Sequence, residues 1–208
     1  MEKRFIQEFG MRYSDETEKI ELNEELDFIG KGKERTCYAH PNKPDVAIKI
    51  THGEVDKQTT RELRYYQKLG KRVGISYKHF PRYLGPVNTS LGLGHMYDLV
   101  RDFDGGVSKS LLEYLENGSS LNDFELELEE LKIAFLENEI IFNHDMYAGN
   151  ILFKRTSSNK GCLVVIDGLG DTVLIPLFDR FKAERKRKIR RRWTYFINRI
   201  RTRHPDIR

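Results

Sequence analysis

Four polar residues have the side chains that phosphoryl transfer to a hydroxyl group requires. Lys49 lies inside the apolar run VAIKI, Asp145 and Asn150 are five positions apart, and Asp167 follows the apolar run LVVI. A lysine can hold the phosphates of a nucleotide, and an aspartate can accept the proton of the acceptor hydroxyl. An asparagine and a second aspartate supply the oxygen ligands that Mg²⁺ prefers. This combination predicts a site for ATP and Mg²⁺.

Two further features favour the same chemistry. Gly30, Lys31 and Gly32 follow an apolar strand, and glycines let backbone N–H groups approach phosphate oxygens closely. Glu62 lies on the next predicted helix, where its carboxylate can fix the direction of Lys49.

Each signal has an ordinary structural interpretation when it stands alone. A Gly-x-Gly sequence is more often a plain β-turn, and a lysine in an apolar strand can simply face solvent. Glu62 could pair with an arginine of its own helix, Asn150 could end a turn, and Asp167 begins a common Asp-Gly turn. The joint order of glycine loop, lysine, glutamate, Asp-x4-Asn and aspartate has no such simple interpretation.

The elements that would position these residues follow an α+β order. Short apolar runs between turn residues predict strands in the first half, and apolar residues at helical spacing dominate the second half. Ser108 is the predicted cap of the second helix. The predicted ranges are strands within 21–50, 82–88 and 94–101, helices over 56–70, 108–117 and about 122–137, and a hairpin over 151–153 and 162–167.

Charge is divided unevenly along the chain. Residues 180–208 hold 13 Lys and Arg against two acidic residues, whereas the whole chain has a net charge of +4. This segment is predicted to be a basic amphipathic helix that either closes the end of the fold or binds nucleic acid or an anionic membrane surface. Its apolar residues at helical spacing are Ile189, Trp193, Phe196, Ile197 and Ile200.

Composition argues against several classes of protein. A hydrophobic fraction of 38% is enough for a core, and a charged fraction of 33% indicates a polar surface. No apolar run approaches the roughly 18 residues of a membrane span, and the first residues do not resemble a signal peptide. Cys37 and Cys162 support neither a disulfide framework nor a zinc site. We therefore expect a cytoplasmic protein without a transmembrane segment.

The sequence resembles the bacterial YrbL family of PhoP regulatory network proteins, within the protein-kinase-like superfamily. The resemblance rests on IGKGKERTCY, KQTTRELRYYQKL, YDLVRDFDG, HDMYAGNILF and VVIDGLGD, and it covers roughly residues 20–175. It implies a two-lobed α+β fold. The expected parts are an N-terminal segment (1–20), an N-lobe with a five-stranded antiparallel sheet (21–103), and a truncated, mostly helical C-lobe (104–208) that ends in the basic helix (180–208).

The resemblance also implies a role for each site residue. Lys49 would bind phosphates with Glu62 orienting it, Asp145 would act as the base, and Asn150 and Asp167 would hold Mg²⁺. The glycine loop would cover the phosphates, and the hinge backbone would line the adenine site. The residues concerned are Gly30, Lys31 and Gly32 in the loop and Tyr97, Asp98 and Leu99 in the hinge.

The chain departs from the kinase pattern at several positions. Arg35 replaces the third glycine of the loop, Asn143-His144 replaces the usual His-Arg pair, and Leu169 replaces the aromatic residue after Asp167-Gly168. Only 37 residues follow Asp171, so we expect a reduced platform for peptide substrates. The acceptor is left open between a lipopolysaccharide sugar, another small molecule and a protein hydroxyl. The alternative is a non-catalytic pseudokinase with a regulatory or scaffold role.

Overall fold

The first half of the chain forms a five-stranded antiparallel sheet with strand order β1-β2-β3-β5-β4. The computed structural model describes residues 19–53, 57–170 and 181–203. Their arrangement confirms the predicted α+β class and the five-stranded sheet. The elements are β1 (Phe28–Lys31), β2 (Arg35–His40), β3 (Lys43–Thr51), α1 (Lys57–Gly70), β4 (Tyr83–Thr89) and β5 (Gly92–Asp98).

Strand β3 lies at the centre of this sheet, between β2 and β5. Its residues Ala47, Ile48 and Ile50 are buried, as expected for a continuous apolar run that is covered on both faces. Lys49 is only 9% exposed, so it does not face solvent. A Cβ added at Gly94 on β5 would lie 2.6 Å from Cγ2 of Ile48, so a glycine there lets the two strands pack closely.

The second half, as far as the structure describes it, is mainly helical and contains one hairpin. The predicted third helix begins as a 3₁₀ turn (Leu121–Phe124) and becomes α-helical only at Glu125. The lobe boundary at 103/104 stays a prediction, and residues 1–18 lie outside the described residues. The elements are α2 (Leu111–Glu116), α3 (Glu125–Glu137), β6 (Ile151–Ser157), β7 (Lys160–Val165) and α4 (Lys182–Arg203).

The predicted cap of α2 is wrong by two residues. Ser110 caps the helix, because its Oγ accepts from Glu113 N at 3.2 Å while Ser110 N donates to the Glu113 carboxylate at 2.7 Å. This reciprocal pair is a capping box. Ser108 instead donates its hydroxyl to Asp102 at 2.5 Å, which ties the start of the second half to the segment after β5.

Helix α4 is part of the main apolar core. Ile189, Trp193, Phe196 and Ile200 are buried there together with residues of α1, α2, α3 and the β6–β7 hairpin. The interpretation that the basic helix packs on the fold is therefore confirmed. Among the residues that the structure describes, no helix is both long and apolar enough to cross a membrane.

Candidate active site

A cavity of about 960 Å³ lies between the β1–β2 turn and the second half of the chain. Its volume is within the range of about 300–1,000 Å³ that is usual for small-molecule sites. Every predicted site residue except Glu62 lines it. These residues are Gly30, Lys31, Gly32, Lys49, Tyr97, Asp98, Leu99, Asp145, Asn150 and Asp167.

The glycine turn between β1 and β2 forms one wall of this cavity. A Cβ added at Gly30 would meet nothing within 4 Å, so the space beside the turn is open. Gly32 N donates to Arg35 O at 2.8 Å, which closes the turn and uses that N–H group within the fold. Lys31 and Lys33 are exposed and make this wall positively charged.

Lys49 crosses from the central strand to the segment that carries Asp167. Its Nζ donates to Ile166 O at 2.6 Å and lies 4.9 Å from the centroid of the Tyr97 ring. The ammonium group is thus held beside Asp167 by a backbone carbonyl and an aromatic face. Burial of β3 in the sheet and this direct hydrogen bond to Ile166 fix the direction of the Lys49 side chain.

The predicted ion pair between Lys49 and Glu62 is not the contact that the structure contains. Glu62 Oε2 lies 2.7 Å from Nη1 of Arg35, and Glu62 Oε1 accepts from Gly168 N at 3.2 Å. Nη2 of Arg35 lies 2.6 and 2.5 Å from the two carboxylate oxygens of Asp167. Arg35 therefore joins Glu62 to Asp167 and takes the position that we expected for Lys49.

Sequence reasoning recognised Arg35 only as a replaced glycine and missed its partners. These partners lie 27 and 132 positions further along the chain, so no local pattern indicated the contacts. It also missed Ala47 and Leu152, which add apolar surface to the cavity. Ala47 stands two residues before Lys49 and so shares its strand face, which is the signal that could have identified it.

The electrostatics of the site centre on two carboxylates and one guanidinium. Burial, and next the charge of Asp167, raises the pKa of Glu62 to about 7. Burial opposes ionisation of Asp167, but the charges of Lys49 and Arg35 lower the pKa of its carboxyl group. Burial also disfavours the charged form of Arg35, yet Glu62 and Asp167 raise the pKa of its guanidinium. Asp167 is thus an anion at neutral pH.

The loop that carries Asp145 and Asn150 is anchored to the segment after β7. Asn143 N donates to Gly168 O at 2.7 Å, and Ile166 N donates to Asn150 O at 2.9 Å. These two bonds bring Asn150 beside Asp167. Gly168 has a φ of 81°, so the sharp turn directly after Asp167 requires a residue that tolerates the left-handed region.

Helix α4 holds the other side of this loop. Nη1 of Arg199 donates to Asp145 O at 3.0 Å, and the ring of Tyr195 stacks on His144 with centroids 4.2 Å apart. Arg192 donates to Phe142 O, immediately before the loop. Asp145 itself is exposed at the cavity mouth, where an acceptor from solvent could reach its carboxylate.

The hinge residues line the cavity, but their N–H groups are already used. Asp98 N donates to Arg82 O at 3.1 Å, and Leu99 N donates to Asp45 O at 2.8 Å. The Tyr97 side chain is buried, so only its backbone could meet a bound base. A base that took either N–H group would have to break a bond within the fold.

The donor atoms near Asp167 fit Mg²⁺ in number and type. Mg²⁺ is usually bound through one or two carboxylates together with substrate phosphates. Asp167 offers one carboxylate, and Asn150 offers an amide oxygen. Within the described ranges, no group of three or more His, Cys, Asp or Glu could hold a metal. In this structure, however, Arg35 is bonded to both carboxylate oxygens of Asp167.

Comparison with known proteins identifies relatives along most of the chain. The family described as PhoP regulatory network protein YrbL matches residues 20–201. The YrbL proteins of Escherichia coli and Shigella flexneri are each 37% identical over 175 residues, which cover 81% of this chain and 82% of each relative. A crystal structure of Rad53 1–466 in complex with AMP-PNP aligns with a TM-score of 0.49 and 14% identity, over 70% of this chain and 38% of that one.

Proposed function

The chain belongs to the YrbL family of PhoP regulatory network proteins, and we propose that it is a kinase-like phosphotransferase that uses Mg-ATP. The observation that supports this proposal most is the convergence of Lys49, Asp145, Asn150 and Asp167 on one cavity. These residues come from β3, from the loop before β6 and from the end of β7, so the fold and not sequence proximity gathers them.

The roles follow from the position and chemistry of each side chain. Lys49 would hold phosphate oxygens, and Asn150 and Asp167 would bind Mg²⁺, which supplies neutralisation of phosphate charge when it is bound. Asp145 would accept the proton of an acceptor hydroxyl. The hydroxyl oxygen would then form the new bond to the γ-phosphorus while the bond between that phosphorus and the ADP oxygen breaks.

The acceptor would approach from the exposed side of Asp145. That side is bordered by α4, whose Arg199 contacts the Asp145 backbone. Its class stays open between a lipopolysaccharide sugar, another small molecule and a protein hydroxyl. The family description names the PhoP regulatory network, and on that basis we propose a bacterial regulatory or envelope-stress context for such a transfer.

A second candidate function is a nucleotide-binding regulator that does not turn over. The contact between Arg35 and Asp167 favours it, because a carboxylate held by a guanidinium is not available to a metal. In that case the cavity would bind a nucleotide, or nothing, and the protein would act through its contacts with partners.

The basic surface of α4 offers a place for an anionic partner. Arg187, Arg190, Arg191, Arg201 and Arg203 are exposed along the helix, while Ile189, Trp193, Phe196 and Ile200 are buried and Ile197 is partly buried. A nucleic acid or an anionic membrane surface would be attracted by these charges, and the attraction would weaken as salt is added. Such binding would be compatible with either candidate function.

Release of ADP separates the two candidates. We expect the wild-type protein to release ADP from Mg-ATP, slowly with water as the acceptor. An Asp145→Asn variant should bind ATP equally well but release ADP about 100-fold more slowly, the usual minimum for loss of a general base. Glu129→Gln, a surface change on α3, is the control. ATP binding without ADP release in the wild type would support the non-catalytic regulator.

A further inference from the structure

The three charged side chains Arg35, Glu62 and Asp167, here called the Arg35 cluster, join three elements across the cavity. Arg35 starts β2, Glu62 lies on α1, and Asp167 follows β7. Their side chains are 13%, 6% and 28% exposed, so the guanidinium is largely shielded from water. A cluster this buried is much less screened by salt than a surface ion pair.

The guanidinium occupies the place where a metal would have to bind Asp167. Its Nη2 atom lies 2.6 and 2.5 Å from the two carboxylate oxygens. Mg²⁺ requires oxygen ligands at about 2.0–2.1 Å, so it would compete with the guanidinium for the same two oxygen atoms. Repulsion between a divalent cation and the guanidinium adds to this competition.

Lys49 does not replace Arg35 in this arrangement. Its Nζ is bonded to Ile166 O and lies over the Tyr97 ring. Without Arg35, Glu62 and Asp167 would be two neighbouring carboxylates, and such pairs attract divalent cations. The positive charge between Glu62 and Asp167 comes from Arg35, which directly follows the glycine turn. This turn is also the segment that would cover nucleotide phosphates.

The chemistry of arginine allows Arg35 to exchange a carboxylate partner for a phosphate partner. A guanidinium binds a carboxylate or a phosphate through the same pair of parallel hydrogen bonds. Arg35, together with Lys31 and Lys33 of the same turn, lines the cavity in which phosphates would lie. A bound nucleotide therefore offers Arg35 a second anion close to Asp167.

We propose that Arg35 hinders the binding of divalent metal ions to Asp167 in the nucleotide-free protein. When nucleotide phosphates bind the guanidinium group instead, Arg35 releases the Asp167 carboxylate. The site then exists in two states. In one, Arg35 closes the glycine turn onto Glu62 and Asp167. In the other, Arg35 holds phosphate, Asp167 holds Mg²⁺, and Glu62 is available to Lys49. The proposal rests on the proposed function only for the identity of the releasing ligand.

The test measures binding of Mn²⁺, as a paramagnetic substitute for Mg²⁺, by electron paramagnetic resonance in the absence of nucleotide. We expect Arg35→Gln to bind Mn²⁺ at least about tenfold more tightly than the wild type, because a cation that competes for Asp167 has been removed. The control Lys33→Gln removes the same charge from the neighbouring turn but no contact with Asp167, and because Lys33 is exposed to solvent its gain should be much smaller than that of Arg35→Gln. The double variant Arg35→Gln/Asp167→Asn should lose the gain.

Equal Mn²⁺ affinity for Arg35→Gln, Lys33→Gln and the wild type would overturn the proposal. If Arg35→Gln does not fold, Mn²⁺ binding by the nucleotide-free wild type still tests the proposal. Tight Mn²⁺ binding by nucleotide-free wild type that is lost in Asp167→Asn would show that Arg35 does not exclude the metal. Addition of AMP-PNP should raise Mn²⁺ binding of the wild type to the level of Arg35→Gln. A protein that binds no nucleotide would refute the proposed function, while the comparison without nucleotide would still decide the role of Arg35.

Discussion

Replacing Trp193 by alanine tests whether α4 is an integral part of the fold. Trp193 is 6% exposed and packs edge-on against two phenylalanine rings. Its ring centroid lies 6.2 Å from that of Phe142 and 5.6 Å from that of Phe196. Truncation of a buried tryptophan to alanine costs about 3–5 kcal/mol, and loss of the two aromatic contacts favours the upper part of that range. A cost of about 4 kcal/mol would be a large fraction of the 5–15 kcal/mol that stabilises a typical protein.

The assay is urea denaturation followed by circular dichroism. Trp193 is the single tryptophan, so tryptophan fluorescence cannot follow unfolding of the variant. Tyr195→Ala is the matched control on the same helix, because Tyr195 is 45% exposed. Its replacement should lower the free energy of unfolding by less than about 1 kcal/mol. Equal and small losses in the two variants would refute the view that α4 closes the core. Since Phe142 precedes the Asp145 loop, Trp193→Ala should also weaken any activity of the site.

Three further predictions concern His95, Asp102 and the exposed basic face of α4. Burial, and next the charge of Arg35, lowers the pKa of His95 to about 4, so between pH 7 and 5 the unfolded chain gains a proton that the folded chain does not. Because of His95, the free energy of unfolding should fall by about 2 kcal/mol between pH 7 and pH 5. His95→Phe should lack this part of the fall, and an equal fall in the variant would contradict its assignment to His95. Asp102→Ala removes the hydrogen-bond acceptor of Ser108 and Arg155. It should lower the free energy of unfolding, measured by urea denaturation, by about 1–3 kcal/mol, and a loss below about 0.5 kcal/mol would contradict this prediction. Reversing the exposed Arg190 and Arg191 to glutamate should lower the salt concentration at which the protein elutes from heparin without changing its stability, and an unchanged elution would argue against an anionic partner on this face.

Local patterns predicted most elements because helical spacing and apolar runs depend only on residues that are close in the sequence. Leu63, Tyr66 and Leu69 recur at helical spacing and are all buried on α1. The run VAIKI correctly indicated a strand, which is the buried half of β3. The start of α2 was misplaced although its signal was present, since Glu113 stands three residues after Ser110 and five after Ser108.

The contacts that define the candidate site were harder to predict because they depend on tertiary packing. The sequence indicated which residues would gather, and all of them except Glu62 line one cavity. It did not indicate that Arg35 would bind Glu62 and Asp167, because a guanidinium in a loop can reach many carboxylates and only the folded distances select two. For the same reason, the apolar face of α4 was visible in the sequence, whereas its contact with Phe142 was not.

Calorimetric titration of the protein with ATP, with Mg²⁺ and with EDTA, tests the central claim most directly. We expect wild type to bind Mg-ATP, and we expect binding to weaken by about tenfold or more in EDTA and in Asp167→Asn, because a metal-bridged carboxylate contact is lost in both. Glu129→Gln should bind as the wild type does, since it lies on the exposed side of α3. The absence of any binding of ATP or ADP to the wild type, with or without Mg²⁺, would contradict the claim that this cavity is a nucleotide and metal site.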